Sequence, residues 1–126
     1  MVNSNYTGRK LIDDLDAKDV LGVLWDPANN CWCHENAYPE GYDEVKDGYL
    51  SHIHIKDVQV DTPRATLEVR PMGEGQLAPL FKPLAEALRA DNYGGVISFE
   101  SVYHPGNGDF EAGFRQNISL FKELFG

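Results

Sequence analysis

Three short apolar runs along the chain each end in a side chain that metal ions favour as a ligand. The runs and their polar ends are 20–25 with Asp26, 49–55 with His54, and 96–100 with Glu100. Near-continuous apolar runs of this length are typical of strands buried on both faces of a parallel sheet. They predict three parallel strands whose polar ends meet at one edge.

The segments between these runs carry apolar side chains at three- and four-residue steps, which predicts helices packed on one face. Helices are expected over residues 8–18, over 77–88, and from an N-cap at Asp109 to Phe125, the last burying Phe110, Phe114, Ile118, Phe121 and Phe125. A loop over 27–41, a short helical stretch over 43–47 and a hairpin or extended excursion over 58–69 fill the remainder. Alternating strands and helices predict an α/β fold, with residues 1–126 as one unit.

Strand parity separates two sets of side chains, because successive residues point to opposite faces. The smaller or polar set comprises Gly22, Leu24, Asp26, His52, His54, Val96, Ser98 and Glu100. The bulkier set comprises Val23, Trp25, Ile53, Ile55, Ile97 and Phe99. We expect the bulkier set to pack against the helices, which would turn all three ligand candidates toward the opposite, inward face.

Asp26, His54 and Glu100 together supply two oxygen ligands and one imidazole, a mixture that suits manganese, magnesium, cobalt or zinc in an open catalytic site. Taken singly, such residues are more often structural, but three at three strand ends favour a site. A metal there would stabilise an enediolate formed from a sugar, and Glu100 would serve as ligand and proton carrier. His52 lies one layer below His54 and is predicted to support it.

Charge and length narrow the functional classes. With 11 Lys and Arg against 20 Asp and Glu, the net charge of −9 argues against nucleic acid as a partner. No apolar stretch approaches the roughly 18 residues that span a bilayer, and the N-terminal residues are polar, so we expect a cytoplasmic protein with no membrane partner. At 126 residues, the chain is half the length of a complete eight-unit barrel.

Four short motifs resemble the last three strand regions of the xylose-isomerase-like sugar phosphate isomerase/epimerase barrels, which are related to endonuclease IV. The motifs are WDPAN at 25–29, HIHIKD at 52–57, GEG at 73–75 and ISFE at 97–100. The resemblance implies the C-terminal half of a TIM (β/α)8 barrel. In that family, Glu, Asp, His and Glu hold the metal; Asp26, His54 and Glu100 match the last three, and the first would lie upstream of Met1.

The resemblance also implies a sugar or sugar phosphate as the substrate, and metal-assisted proton transfer as the reaction. Asn29 stands where several relatives carry a histidine, and is a candidate for contact with a sugar hydroxyl. Lys56 and Arg70 lie near the predicted mouth and are candidates for contact with a phosphate, carboxylate or sugar oxygen. Isomerisation, epimerisation and dehydration remain open.

Three hypotheses follow. The first is a fragment or half-length form of a divalent-metal-dependent sugar isomerase or epimerase, completed by a homo-oligomer or by a missing N-terminal half. The second is a catalytically inert half-barrel that associates with itself to cover open sheet edges. The third, less favoured, is a small zinc-binding module around Cys31, Cys33 and His34, whose spacing fits structural zinc sites poorly.

Overall fold

The structure, a computed structural model, describes residues 4–126. Its elements in chain order are α1 (Asn5–Asp14), β1 (Val23–Trp25), α2 (Pro27–Trp32), β2 (Leu50–Ile55), β3 (Asp57–Asp61), β4 (Thr66–Arg70), α3 (Ala78–Ala90), β5 (Val96–Phe99) and α4 (Phe110–Phe125). A wide helical turn spans Ala37–Gly41, and a 3-10 turn spans Thr62–Arg64. None of the helices over 4–126 is both long and apolar enough to cross a membrane.

The central feature is a parallel sheet of three strands in the order β1-β2-β5. The three predicted strands are confirmed, but β1 begins at Val23 rather than near residue 20. The amides of Val20 and Leu21 both donate to the Ala17 carbonyl, so this apolar stretch belongs to the turn after α1. Val20 is 81% exposed, which explains why its hydrophobicity does not extend the strand.

Burial on the two sheet faces agrees with the predicted parity. Trp25, Ile53 and Ile55 are at most 1% exposed, on the face covered by helices. Leu24 and Val96 point to the opposite face and are 53% and 57% exposed. The helix-covered face therefore holds the core, and the face expected to point inward in a barrel is open in the part of the chain that the structure describes.

The helix ends follow local capping chemistry. α1 starts earlier than expected because Ser4 and Thr7 form a reciprocal capping box, in which the Ser4 hydroxyl accepts from the Thr7 amide. The predicted N-cap of α4 is confirmed, since the Asp109 carboxylate accepts from the Ala112 amide at 2.9 Å. α3 accommodates Pro79 in its first turn and Pro83 in its second.

The buried face of α4 differs from the prediction in the first half of the helix, whereas Phe121 and Phe125 pack against the core as expected. Phe110 and Phe114 are 52% and 40% exposed, whereas Gly113 and Asn117 are buried. A side chain at 113 would overlap the backbone of Tyr103, so the helix approaches that loop closely at a glycine. Asn117 accepts from the Met72 amide and donates to the Gly113 carbonyl, both at 2.5 Å. Backbone contact therefore decides which face of α4 is buried.

Three connecting segments can also be compared with the sequence prediction. The expected loop over 27–41 contains α2, which starts with Pro27 at its first position and is capped by Asp26. The short helical stretch expected over 43–47 is helical only at residues 42–43, and turns over 44–49 lead from it to β2. The excursion over 58–69 is confirmed as an antiparallel hairpin of β3 and β4, in which Asp57 pairs with Arg70.

Candidate metal centre

Three elements of the parallel sheet bring Asp26, His54 and Glu100 together. Asp26 follows β1, His54 is the fifth residue of β2, and Glu100 follows β5. Because His54 is paired with Ser98 in the parallel register, the ends of the strands align. One ligand atom from each of the three residues lies within 4.8 Å of the other two. The prediction that these side chains share one face and one edge therefore agrees with the geometry.

Asp26 has two roles that use different carboxylate oxygens. Its Oδ1 accepts from the Ala28 amide at 2.9 Å and caps α2. Its Oδ2 faces the site and accepts from the Lys56 ammonium at 2.5 Å. The side chain is only 4% exposed. Capping therefore fixes the carboxylate so that one oxygen remains directed at the cluster.

Lys56 lies between the two carboxylates of the cluster. Its Nζ is 2.5 Å from Asp26 Oδ2 and 2.5 Å from Glu100 Oε2. The same Glu100 oxygen is 4.0 Å from His54 Nδ1. The side chain of Lys56 is 15% exposed, compared with 31% for His54 and 32% for Glu100. The sequence suggested Lys56 as a substrate contact; the structure places it inside the ligand cluster.

The charges of these groups depend on one another. Burial raises the pKa of Asp26, although the adjacent Lys56 ammonium opposes that shift. Burial also acts to raise the pKa of Glu100, but the hydrogen bond and charge of Lys56 outweigh it, so this pKa is lowered. Burial opposes the charged form of Lys56, yet the two carboxylates raise its pKa overall. At neutral pH, an ammonium therefore faces an ionised Glu100.

His52 lies one layer below the cluster, as its place in β2 indicates. Its Nε2 is 2.8 Å from the Ser98 hydroxyl on β5. Its ring meets that of His54 edge to face, with the ring centroids 5.0 Å apart. These contacts restrict the orientation of both imidazoles, and the supporting role of His52 stays a prediction.

The other two predicted substrate contacts differ in their surroundings. Asn29 is exposed on α2 and lines an open groove of about 430 Å³ together with Asp26 and Trp32. Arg70 ends β4 and forms an ion pair with Glu68 at 2.7 Å, with nearly half of its side chain exposed. Asn29 is thus adjacent to the cluster, whereas the ion pair of Arg70 lies on the hairpin.

Sequence reasoning missed Asp57, which organises the loop beside the site. Its carboxylate is 1% exposed and accepts from the backbone amides of Val58, Gly73, Gly75 and Leu77. The signal in the sequence was the pair of glycines in GEG, because closely spaced amides around an anion require backbone without side chains. Asp57 therefore holds the loop before α3 against the end of β2.

The alternative zinc cluster lacks support in the geometry. Among residues 4–126, one group of at least three His, Cys, Asp or Glu side chains is compact enough to share a metal ion. This group consists of Asp26, His54 and Glu100. Cys31 lies on α2 and its Sγ contacts the Pro27 carbonyl at 3.7 Å. Within the described residues, the ligand atoms of Cys31, Cys33 and His34 therefore do not converge on a common point.

The donor chemistry of the Asp26, His54 and Glu100 cluster fits a divalent cation. It offers carboxylate oxygens and an imidazole nitrogen, and a cation, the Lys56 ammonium, already lies between its carboxylates. The chain combines parallel strands, outer helices and a ligand cluster at the carboxyl ends of the strands. This combination defines the class of α/β barrels whose sites lie at the carboxyl ends of their strands.

Comparison with known families agrees with this class. Residues 1–124 match the family described as xylose isomerase-like TIM barrel, and the chain belongs to that family. No curated protein and no solved structure matches the chain. The family membership confirms the predicted fold, an α/β architecture of which the described residues form a partial barrel.

Proposed function

We propose that this chain supplies three ligands, Asp26, His54 and Glu100, to the divalent-metal site of a sugar or sugar phosphate isomerase or epimerase. The observation that carries the proposal is the convergence of these three side chains to within 4.8 Å from three separate strands. Membership of a family of xylose isomerase-like barrels supports sugars as the substrate class. A cytoplasmic location is part of the proposal.

Each residue has a distinct task in the proposed reaction. When bound, a divalent ion polarises the carbonyl and the neighbouring hydroxyl of the sugar. Asp26 and His54 would hold the ion, and the α2 cap keeps Asp26 in place. A neighbouring positive charge, Lys56 in this structure or a bound ion in its place, keeps Glu100 ionised, which is the form that accepts a proton from the carbon next to the carbonyl. Asn29 orients a sugar hydroxyl from the adjoining groove.

The proposed enzyme needs groups beyond these three ligands. Leu24 and Val96 leave the inner face of the sheet exposed, and a closed barrel would cover them. We propose that further strands, from a second copy or from an N-terminal half, complete the wall and contribute a fourth ligand and a second proton carrier. The same exposed face favours one rival, a catalytically inert half-barrel that self-associates.

Metal titration with matched histidine variants tests the site. Manganese binding, measured by calorimetry, is expected in the wild-type protein, absent in His54→Ala and unchanged in His34→Ala. Binding that survives His54→Ala would contradict the proposed ligand set, and binding lost only in His34→Ala would transfer the site to the cysteine cluster. Circular dichroism confirms that each variant is folded.

Turnover separates the enzyme from its rival. The metal-loaded protein is incubated with a panel of ketoses and ketose phosphates in deuterated water, and exchange at the carbon beside the carbonyl is followed by NMR. Exchange that Glu100→Gln abolishes supports the proposed proton carrier. A metal-loaded assembly without exchange on any sugar would favour the inert half-barrel.

A further inference from the structure

Lys56 binds the very carboxylate oxygens that a metal ion would need. Asp26 uses Oδ1 to cap α2, which leaves Oδ2 facing the cluster, and Oδ2 accepts from Lys56 at 2.5 Å. Glu100 turns Oε2 toward both His54 and Lys56, at 4.0 Å and 2.5 Å. The ammonium therefore takes the place of the cation that the two carboxylates attract.

An ammonium and a divalent ion that share these oxygens would repel each other. Carboxylate oxygens lie about 2.0–2.2 Å from a bound zinc or magnesium ion. An ammonium that stayed 2.5 Å from the same oxygens would be held against a doubly charged ion in a partly buried site, where screening is weak. Entry of a divalent ion thus favours movement of the Lys56 ammonium away from at least one carboxylate.

The fold gives Lys56 room to move. The residue lies just past the end of β2, where the backbone leaves the parallel sheet, and its neighbour Asp57 is anchored by four backbone amides. The anchored backbone fixes where the side chain starts, and the long unbranched stem has several rotatable bonds. Its side chain is 15% exposed, and the neighbouring side chains of His54 and Glu100 are 31% and 32% exposed.

We propose that Lys56 is an internal competitor of the metal ion, whose ammonium is released from Asp26 and Glu100 when the ion binds and then faces an anionic oxygen of the substrate. This inference rests on the proposed metal site. It assigns Lys56 two partners, one after the other. The first is the pair of carboxylates, before metal binding, and the second is a phosphate, carboxylate or sugar oxyanion, after metal binding. Lys56 would thus couple metal loading to substrate binding.

Removal of the ammonium tests the competition directly. Lys56→Met keeps the length of the stem, and Lys46→Met is the matched control, since Lys46 forms an exposed ion pair with Asp43. In calorimetric titrations, manganese affinity is expected to rise about tenfold or more in Lys56→Met, because two carboxylates lose their competing cation, and to remain unchanged in Lys46→Met. Unchanged or weaker affinity in folded Lys56→Met would overturn the inference.

A second measurement needs no variant of Lys56. The wild-type protein is acylated briefly with an N-hydroxysuccinimidyl ester, with and without manganese, and the modification of Lys56 relative to exposed Lys82 is measured by peptide mass spectrometry. The ratio is expected to rise several-fold with manganese and to stay constant in His54→Ala. An unchanged ratio in metal-loaded wild-type protein would overturn the release of Lys56.

The outcomes separate this inference from the proposed function. Manganese binding that His54→Ala leaves intact overturns both proposals, because the ion then lies elsewhere. A different result would overturn only the role of Lys56. In that case His54→Ala abolishes manganese binding, which supports the metal site, but Lys56→Met does not strengthen it.

Discussion

The carboxylate of Asp57 should be one of the most sensitive positions in this protein. Its Oδ1 accepts from the amides of Val58 and Leu77 at 3.0 and 3.1 Å, and its Oδ2 accepts from those of Gly73 and Gly75 at 3.0 and 2.9 Å. The side chain is 1% exposed, so water cannot replace it. One carboxylate therefore satisfies four backbone donors that connect β3 to the loop before α3.

Asp57→Asn changes one oxygen to an amide nitrogen with almost no change in shape. Whichever oxygen is replaced, two backbone amides lose their acceptor and face another donor. Each buried donor left unsatisfied costs about 1–3 kcal/mol, so the expected loss in the free energy of unfolding is about 2–6 kcal/mol. Total stabilities of domains are about 5–15 kcal/mol, so the variant should be severely weakened or unfolded at room temperature.

Urea unfolding followed by circular dichroism measures this loss. The control is Asp61→Asn on the same hairpin, where a carboxylate 39% exposed accepts from the Arg64 amide at 3.3 Å. Because water can replace that bond, the control should lie within about 1 kcal/mol of the wild type. The free energies of unfolding of Asp57→Asn and of the control could both lie close to that of the wild type. That result would refute the four-donor role of Asp57.

Two further predictions concern neighbouring packing and a buried phenol. A β-carbon at Gly75 would overlap Asp57 Oδ1, whereas one at Gly94 would meet nothing within 4 Å. Gly75→Ala should therefore lower the free energy of unfolding by about 2 kcal/mol or more, and Gly94→Ala should leave it almost unchanged. The midpoints of urea unfolding measure both effects. Equal midpoints for the two variants would contradict the close approach. Burial and a 2.8 Å hydrogen bond to Asp91 raise the pKa of Tyr42, so its contribution to stability is complete below the ordinary value near 10 and is lost as pH rises above it. The stability advantage of wild type over Tyr42→Phe, measured in urea at several pH values, should narrow above pH 10; a constant difference would contradict the shift.

Much of the fold and part of the candidate site could be predicted from local patterns. Strand parity placed Trp25, Ile53 and Ile55 in the core because alternation along an extended backbone is a local property. The same alternation, with parallel pairing, predicted that Asp26, His54 and Glu100 would share an edge. The cap at Asp109 was also predictable, since it depends on residues three apart.

Other features depend on residues distant in sequence and became visible in the folded chain. The exposure of Val20 reflects the turn after α1, and the buried face of α4 reflects the approach of Gly113 to the Tyr103 backbone. Hydrophobicity could not reveal either, because it reports the preference of a side chain and not the neighbours available to it. Asp57 and its distant amide donors illustrate the same limit.

Local patterns thus predicted the three parallel strands, although not the start of β1, together with their buried faces and the three ligand candidates. Tertiary structure alone decided that the Lys56 ammonium lies between Asp26 and Glu100, 30 and 44 residues away along the chain. The physical reason is that a charged side chain at a strand end can face solvent, substrate or a neighbouring strand with equal local cost. The choice depends on the charges that folding brings within reach.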